Sequence, residues 1–412
     1  MVAQDTGRRV CRRPRGHGPV LRLRRAVPSN VVGDSRASPY AVRMDFRGRV
    51  ILAPLTKGGN LPFRRLCVAY DCATTTSEMA YSGQVMRQTP TEMALLRKHV
   101  DEQCFGVQIA ASKPEMAVAA GMAAVERGAA FLDLNCGCPI HDVVKRGMGA
   151  TLLQRPAHLG RIVEAMTKGL PVPVTVKIRL GWSEDDKNAS EVARIVEESG
   201  AKALTVHGRT REQRYTKAAD WEWIAKIVSE RSIPVIGNGD VYTWYEAEDL
   251  QQKSNCASVM VGRGALIKPW IFREIAQKQE FEPNAEQRVA IYRQFLGYMK
   301  EHFRDDEKGR KRAMFFLPWH FGFFCRYRPL PASQFREMSR QHPLMQTRLP
   351  DEGEVAPLEA VLRDPRETTH QKLAALFWDA TSDQDAIERC MQIFATDPPQ
   401  RGDAPEVAVA HG

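Results

Sequence analysis

The stretch AAFLDLNCGCP, residues 129–139, joins an apolar run to a turn that carries two cysteines. A buried strand that ends in Asn-x-Gly-Cys-Pro places a thiol at the exit of the strand. Gly137 allows the backbone to turn, and Pro139 stops the strand because it cannot donate a ladder hydrogen bond. The sequence therefore holds Cys138 on a stiff loop, although for one such turn alone a half-buried structural cysteine is the commoner interpretation.

This run is one of eight apolar runs of similar length. None alternates cleanly between apolar and polar residues, which indicates strands buried on both faces, as in a parallel sheet. The predicted strands are 49–55, 73–79, 104–110, 131–137, 173–179, 203–209, 234–240 and 258–264. Helical patterns at 114–127, 188–199 and 219–230 lie between them. Eight alternations over roughly 220 residues predict an α/β fold, a (β/α)8 TIM barrel, with an open doubly wound sheet as the alternative.

Polar and charged residues collect at the carboxyl ends of the predicted strands. In a TIM barrel these ends form one ring, where active sites lie. So many polar groups are costly to keep dry and unpaired, so we expect them to surround a polar ligand. The strand-end positions are Pro54, Leu55, Thr56, Gln108, Asn135, Cys138, Lys177, Arg179, His207, Arg209, Asn238, Gly239, Asp240, Gly262 and Arg263.

Glycine-containing turns follow the seventh and eighth predicted strands, at 237–239 and 262–264. Glycines allow close approach of the backbone, and free N–H groups at a helix amino end favour an anion. TIM barrels often bind phosphate at these two loops, and Arg263 adds a charged fork. We expect a phosphate site, with two ordinary glycine turns as the alternative. No GxGxxG or Walker loop occurs, so no dedicated dinucleotide fold is expected.

Several motifs together resemble the tRNA-dihydrouridine synthases, flavin enzymes that reduce a uridine in tRNA. They are NCGCP at 135–139, KRGMGA at 145–150, VKIR at 176–179, HGRT at 207–210 and NGD at 238–240. Residues 45–67 and 262–270 are similar to the branch that acts at tRNA position 47. The resemblance implies an FMN-dependent oxidoreductase that uses NADPH or NADH. It also implies an FMN-binding TIM barrel at 46–282 and a helical tRNA-binding domain at 283–397.

The resemblance also assigns roles to residues. Reduced flavin would supply hydride to the uracil 5,6 double bond, and Cys138 would supply the proton. An ordinary thiol, with a pKa of about 8.5, stays protonated near neutral pH as such a donor must. Cys136 is the rival, because on a strand both side chains would face the same way. The implied FMN contacts are Pro54, Leu55, Thr56, Gln108, Lys177, His207, Asn238, Gly239, Asp240, Gly262 and Arg263, and the implied substrate contacts are Asn135, Lys145, Arg179 and Arg209.

The segment after about residue 281 suits a surface for the rest of a tRNA, whose target uridine must be extruded to reach the barrel mouth. Residues 284–303 have helical periodicity, and 314–324 are strongly aromatic. Between 304 and 348 there are ten Lys/Arg and four Asp/Glu. Basic groups among aromatics suit RNA. The alternative is a helical bundle with an aromatic core and solvated charges.

The net charge of +10 is a weak indicator of nucleic-acid binding, because residues 1–45 hold ten arginines and three aspartates. We expect this extension to be untranslated, with a start at Met44, or to be a disordered RNA-binding arm or a transit peptide. Its only cysteine and histidine are Cys11 and His17, so the Cys/His zinc finger of the position-47 branch is not expected there. Residues 398–412 are expected to form a flexible tail.

Nine scattered cysteines, with no secretory signal, predict free thiols in a reducing compartment, here the cytoplasm. Cys136 and Cys138 lack a second pair nearby, so no metal site is expected. The longest apolar stretch, 116–125, is too short to cross a membrane. A monomer is expected.

Two other functions stay open at this point. A flavin barrel that acts on a free pyrimidine, like dihydroorotate dehydrogenase, would share the phosphate loops and a loop cysteine. It would not need the long C-terminal segment. A non-catalytic tRNA-binding factor would keep the barrel without the chemistry. The joint presence of Cys138, Lys177, His207, Asn238 and Arg263 argues against this second alternative.

Overall fold

Short parallel strands form a closed barrel in this computed structural model, which describes residues 44–347, 349 and 353–399. The strands are β1 (Ile51–Leu52), β2 (Thr74–Thr76), β3 (Ala80–Tyr81), β4 (Cys104–Ala110), β5 (Phe131–Cys136), β6 (Val174–Arg179), β7 (Ala203–His207), β8 (Val235–Asn238) and β9 (Ser258–Val261). β1 pairs with both β2 and β9, and β2 pairs with β4, so the ring closes with every pairing parallel. The predicted (β/α)8 barrel is confirmed, and the open-sheet alternative is wrong.

The second predicted strand of the barrel is interrupted. β2 pairs with the first half of β4, and β3 pairs with Ile109 and Ala110 at its end. Ser77 still donates its backbone N–H to the Gly106 carbonyl of β4 at 2.9 Å, but its hydroxyl accepts the backbone N–H of Gln108, and residues 77–79 are not in a strand. The second predicted strand therefore exists as two short pieces that flank a kink at the edge of the barrel mouth.

All predicted strands except 104–110 are shorter in the structure, mostly at their carboxyl ends. After β8, the φ angles of Gly239 and Asp240 are +128° and +54°, which no strand residue adopts. Some polar residues at the ends of the predicted runs, such as Arg209 and Asp240, therefore belong to loops, whereas Gln108, Lys177 and Arg179 remain in strands.

Helices follow most of the strands, and after β9 the described part of the chain contains helices but no further strand. The α-helices are α1 (Leu61–Ala69), α2 (Ser82–Met86), α3 (Pro90–Leu95), α4 (Pro114–Val125), α5 (His141–Lys145), α6 (Pro156–Gly169), α7 (Ala189–Glu198), α8 (Trp221–Glu230), α9 (Trp244–Ser254), α10 (Arg263–Ile267), α11 (Ile271–Gln277), α12 (Ala285–Phe303), α13 (Glu307–Ala313), α14 (Leu317–Phe324), α15 (Ala332–Gln341), α16 (Pro357–Leu362), α17 (Glu367–Asp379) and α18 (Asp383–Thr396). Two 3-10 helices span Gly149–Gln154 and Leu344–Gln346. All four predicted helical segments are helices.

Local signals explain where these helices begin and end. α4 starts at Pro114, whose missing N–H is not needed there, and the chain turns after it at Gly128 with a φ of +88°. α12 starts with a capping box, in which Asn284 and Gln287 each accept the other's backbone N–H. These caps fix the boundaries that the apolar periodicity alone leaves uncertain.

The end of the barrel that faces away from the strand exits is filled with apolar side chains. Phe46, from the segment before β1, packs edge-on against Phe131 at 5.5 Å between ring centroids. Gly106 makes room for Phe131, since a Cβ there would lie 2.1 Å from that ring. Ile51, Ile236 and their neighbours complete this plug. Within the part of the chain that the structure describes, this plug closes one end of the barrel and the strand exits stay open to a ligand.

The C-terminal helices form a second, aromatic core beside the barrel. α12 packs against α1 of the barrel and against α17 and α18, and α14 packs against α10 and α17. Tyr292 stacks on Phe324 at 4.6 Å, and Phe321 stacks on Phe377 at 5.5 Å. Most aromatic residues of this segment are thus core residues, as the helical-bundle alternative predicted. Phe315 is an exception, with 64% of its surface exposed.

Several sequence predictions lie outside the described residues. These concern the extension up to residue 43, including Cys11 and His17, and the tail from residue 400. Within the described part of the chain, eight cysteines are free thiols, and no group of His, Cys, Asp and Glu is placed to hold a metal ion. No described helix combines the length and apolarity that a membrane crossing requires.

Candidate active site

An open cavity of about 1100 Å³, mouth included, lies at the carboxyl ends of the barrel strands. Sites for small molecules commonly measure roughly 300–1,000 Å³, so the space suits a cofactor together with part of a substrate. Every predicted site residue except Lys145 lines it. The predicted residues brought together are Pro54, Leu55, Thr56, Gln108, Asn135, Cys138, Lys177, Arg179, His207, Arg209, Asn238, Gly239, Asp240, Gly262 and Arg263. Lys145 is exposed at the end of α5 and does not line the cavity.

The structure separates the two neighbouring cysteines. β5 ends at Cys136, whose side chain is fully buried in the core, and beyond it the strand alternation no longer applies. The Asn135 side-chain oxygen accepts the backbone N–H groups of Gly137 and Cys138 at 3.2 and 2.9 Å. This turn directs Cys138 into the cavity lining, where it is 9% exposed. Cys138 can therefore face a ligand, and Cys136 cannot.

The Cys138 thiol is held in its protonated form. Burial raises the pKa of Cys138, and this effect exceeds the lowering by the Ile140 backbone and by the charges of Arg179 and Lys177. A raised pKa keeps the thiol protonated at neutral pH. The same two cations would stabilise the thiolate once the proton has left. Cys138 therefore suits proton donation better than nucleophilic attack.

A chain of buried hydrogen bonds fixes the cavity floor. The Gln108 amide donates to Asp133 at 2.7 Å, and the Asn135 amide donates to the Gln108 side-chain oxygen at 2.7 Å. Thr175 donates to the other Asp133 oxygen at 2.7 Å. Burial raises the pKa of Asp133, while these hydrogen bonds lower it. The network orients the amides of Gln108 and Asn135 toward the cavity. Our sequence predictions missed Asp133, although a lone acid in the apolar run FLDL is a signal.

Lys177 stands beside this floor on β6, in register with Asn135 on β5. Burial, followed by the charge of Arg179, lowers the pKa of Lys177 to about 7. Its charge therefore depends on what binds nearby, because an anionic ligand favours the protonated form. Among the described residues, Lys177 has no carboxylate within ion-pair distance. Its ammonium group is available to a ligand.

Arg179 ties the thiol loop to the loop that follows β7. Its Nε donates to the Gly137 carbonyl at 2.9 Å, and its Nη1 donates to the Thr210 carbonyl at 3.0 Å. These bonds leave Nη2 without a hydrogen-bond partner in the described part of the chain. Arg179 can therefore position the Cys138 loop and also present a donor to a bound molecule.

Arg209 is fully buried, and much of its guanidinium is occupied by protein groups. Its Nη2 lies 2.7 Å from both oxygens of Asp240, and its Nε donates to the Lys217 carbonyl at 2.5 Å. Its Nη1 lies 3.2 Å from Nε2 of His207. A guanidinium only donates, so His207 must accept at Nε2. Burial and the charges of neighbouring cations lower the pKa of His207 well below its ordinary value, so the ring is neutral.

Two glycine turns and Arg263 form the side of the cavity after β8 and β9. A Cβ at Gly239 would lie 2.5 Å from Ala219, and one at Gly264 would lie 2.2 Å from the Val241 carbonyl oxygen. Arg263 donates to Asp240 at 3.2 Å, and Asp240 is already shared with Arg209. Within the described residues, only two of the four cations that line this cavity are ion-paired, both with Asp240, so the site suits an anionic group.

Aromatic residues that the sequence analysis did not single out also line the cavity. Tyr215, in the loop after β7, lies under the Arg263 guanidinium at 4.3 Å. Trp319 and Phe323 reach the cavity from α14. The position of Tyr215 in the loop after the predicted strand 203–209, six residues beyond its end, was a usable signal. Nothing local indicates that α14 folds back over the first strand.

The fold and the cavity together define a TIM-barrel protein with a polar, cation-rich site for an anionic ligand and a protonated thiol at its edge. Comparison with known proteins narrows this class. Residues 51–349 match the family model described as dihydrouridine synthase (Dus). The chain belongs to the dihydrouridine synthase family, as the motifs predicted.

Curated relatives carry names from the expected branch. The chain is 39% identical over 306 residues to a tRNA-dihydrouridine(47) synthase (NAD(P)(+)) of Coprinopsis cinerea, covering 70% of this chain and 45% of the relative. It is 40% identical over 291 residues to the tRNA-dihydrouridine(47) synthase (NAD(P)(+))-like protein of Homo sapiens, covering 70% and 44%. The chain thus spans about half the length of the curated relatives it matches.

Among solved structures, an old yellow enzyme homologue from Zymomonas mobilis aligns with a TM-score of 0.43 and 12% identity. This alignment covers 57% of this chain and 90% of that chain.

Proposed function

We propose that this protein is an FMN-dependent tRNA-dihydrouridine synthase that reduces the 5,6 double bond of a uridine in tRNA, at position 47, with NADPH or NADH as reductant. The observation that carries the proposal is the Cys138 thiol. It faces the cavity in protonated form and lies within the influence of Lys177 and Arg179. Such an acid beside two cations suits proton delivery to a carbon whose neighbouring carbonyl gains negative charge.

The cavity residues fit FMN. Gly239, Gly262 and Gly264 line the cavity on the two loops where TIM barrels often bind phosphate, and Arg263 adds positive charge there. Gln108 and Lys177 present a fixed amide and an ammonium group to the ring system. Pro54, Leu55 and Thr56 border the same space, as do His207, Asn238 and Asp240. When bound and reduced, FMN supplies the hydride.

The floor of the site suits a uracil ring. Asn135 uses its oxygen for two backbone N–H groups and one of its two amide hydrogens for Gln108. One amide hydrogen remains for a uracil carbonyl. Arg179 offers Nη2 in the same region. Cys138 then donates its proton to carbon, and the nearby cations hold the resulting thiolate. Lys145 and Arg209 stay predicted substrate contacts, and the buried pairing of Arg209 with Asp240 supports an indirect role.

We propose residues 46–282 as the catalytic barrel and residues 283–397 as the tRNA-binding region. Ion pairs reduce the basic excess that the sequence indicates there: Arg336 and Arg340 pair with Asp249, and Arg310 pairs with Asp379. The remaining basic charge is concentrated on α13, including Lys311. The protein is further proposed to act as a cytoplasmic monomer, which size-exclusion chromatography and localisation would test.

The test is anaerobic. The purified protein is reduced with NADPH, mixed with tRNA from cells that lack dihydrouridine, and followed by flavin absorbance. Reoxidation by tRNA, but not by uracil or orotate, is expected. Flavin that is reoxidised by orotate alone would indicate a free-pyrimidine enzyme. Well-folded protein that binds tRNA but no flavin would indicate a binding factor. Mapping of the reduced uridine tests the assignment to position 47.

A further inference from the structure

An exposed aromatic ring lies at the rim of the cavity. Phe315, in the turn between α13 and α14, is 64% exposed, although its neighbours in sequence are largely packed. It stands edge-on to Phe316 at 5.1 Å, and Phe316 stacks on Phe303 inside the helical core. The Phe315 ring is therefore held by a rigid support while much of its surface stays open to solvent.

The ring contacts the loop that continues from the cavity wall. Lys57 Nζ lies 4.4 Å from the Phe315 ring centroid, and the preceding residue, Thr56, lines the cavity. The loop that contains Thr56 and Lys57 is fixed by a hydrogen bond, because the Lys57 backbone N–H donates to the Glu78 carboxylate at 2.5 Å. Trp319 packs so closely on Gly58 that a Cβ there would lie 2.6 Å from the Trp319 ring. Phe315 is thus placed beside the mouth by the barrel and by α14 together.

Lys57 lies over this ring, and two further cations precede Phe315 in the sequence by three and four positions. Lys57 has no carboxylate partner among the described residues, and the same holds for Lys311 and Arg312 in the last turn of α13. Lys311 and Arg312 are exposed. An exposed aromatic ring with three uncompensated cations is a poor surface for a basic or neutral partner. It matches the chemistry of a single-stranded nucleic acid, whose bases stack on aromatic rings and whose phosphates attract cations.

We propose that Phe315 is a stacking platform for an unpaired base of the substrate tRNA next to the uridine that enters the cavity. Lys57, Lys311 and Arg312 hold the adjoining phosphates. This inference rests on the proposed function, since it places the strand that leaves the active site. Phe315 is a positioning residue: it holds the RNA so that the target uracil reaches Cys138, and it takes no part in flavin reduction.

The test compares Phe315→Ala, Phe315→Leu and Phe315→Trp in the flavin-loaded protein. The Kd for tRNA lacking dihydrouridine is measured by anisotropy at several salt concentrations, together with the rate of flavin reduction by NADPH. Phe315→Ala is expected to raise the Kd by about five- to a hundredfold. Phe315→Leu should fail similarly, and Phe315→Trp should restore binding. Flavin reduction should be unchanged in all three variants.

Salt dependence separates stacking from charge. Phe315→Ala should leave the slope of log Kd against log salt unchanged. Lys311→Gln combined with Arg312→Gln should reduce it by about 0.7 for each phosphate that is no longer neutralised. Val100→Ala is the matched control, since Val100 is 88% exposed and precedes β4, away from the strand exits. It should bind tRNA as the wild type does.

Two results would overturn the inference. One is a Phe315→Ala variant with wild-type affinity, and the other is a Phe315→Leu variant as good as Phe315→Trp, which would indicate apolar packing only. If Phe315→Ala proves unstable, the Leu and Trp variants decide alone. If tRNA does not reoxidise the reduced flavin of the wild-type protein, the proposed function is overturned as well. If tRNA does reoxidise it but Phe315→Ala binds tRNA with wild-type affinity, only the stacking inference is overturned.

Discussion

The cavity and the contact between α9 and α15 use arginine in opposite ways. At the cavity, Arg209 and Arg263 both pair with Asp240, whereas Lys177 and Arg179 pair with no carboxylate of the described chain. At the α9–α15 contact, two arginines meet two carboxylates of α9, Glu248 and Asp249. At the α9–α15 contact, cations and carboxylates neutralise one another and hold the helix against the barrel. The cavity has more cations than carboxylates, and this net positive charge favours the binding of an anion.

The largest expected effect is that of removing Cys138, the proposed acid beside the cations of the cavity. Cys138→Ala should keep bound flavin and NADPH oxidation but lower the rate of dihydrouridine formation by about 10²- to 10⁴-fold, since a positioned general acid contributes that much. Cys136→Ala is the matched control, because Cys136 lies two residues away and is buried outside the cavity. Product is measured by mass spectrometry of digested tRNA. Wild-type product formation in Cys138→Ala would remove this thiol from the mechanism.

A second prediction compares the two kinds of ion pair directly. Asp240→Asn leaves the fully buried Arg209 without its carboxylate, and loss of one partner of a buried pair typically costs about 3–5 kcal/mol. Asp249→Asn removes a partner of the more exposed Arg336 and Arg340, where about 0–1 kcal/mol is expected. Urea denaturation of both variants gives the two free energies of unfolding. Equal losses would contradict the distinction between the regions.

A third, smaller effect is a pH dependence from Lys177. Its pKa is about 7 in the folded protein and about 10.4 in an unfolded chain, so the unfolded chain binds more protons between these values. The buried ammonium therefore destabilises the fold fully below pH 7 and progressively less as the pH rises toward 10.

Lys177→Met should consequently be more stable than the wild type at neutral and lower pH, and the difference should shrink at higher pH. Flavin-free protein at a series of pH values gives the denaturation midpoints. As a control, Lys168→Met removes an exposed lysine and should show no such trend. A pH-independent gain would place the effect in packing instead of charge.

Local sequence was sufficient for the barrel and for most of the cavity. Strands buried on both faces leave continuous apolar runs, and their polar ends must meet when a barrel closes, so the ring from Gln108 to Arg263 was predictable. The separation of Cys138 from Cys136 depended on where β5 ends, which one hydrogen-bonded turn at Asn135 decides. Propensity does not resolve boundaries of one or two residues.

Contacts between distant parts of the chain were beyond local reasoning. Trp319 meets Gly58 across more than 250 positions, and no periodicity in either segment specifies that meeting. The basic count after residue 304 also overstated the free charge, because Arg336 and Arg340 pair with α9. Only the tertiary structure distinguishes a cation that is ion-paired with another helix from one that is unpaired and available to a ligand.

The apolar plug of Phe46 and Phe131 has a kinetic consequence. It closes the far end of the barrel, so in the proposed reaction the reductant and the extruded uridine would both enter through the strand exits. Because both substrates use the same opening, they would occupy the site alternately. Initial rates measured at several fixed concentrations of one substrate should then give parallel lines in a double-reciprocal plot, and each substrate in excess should inhibit the other.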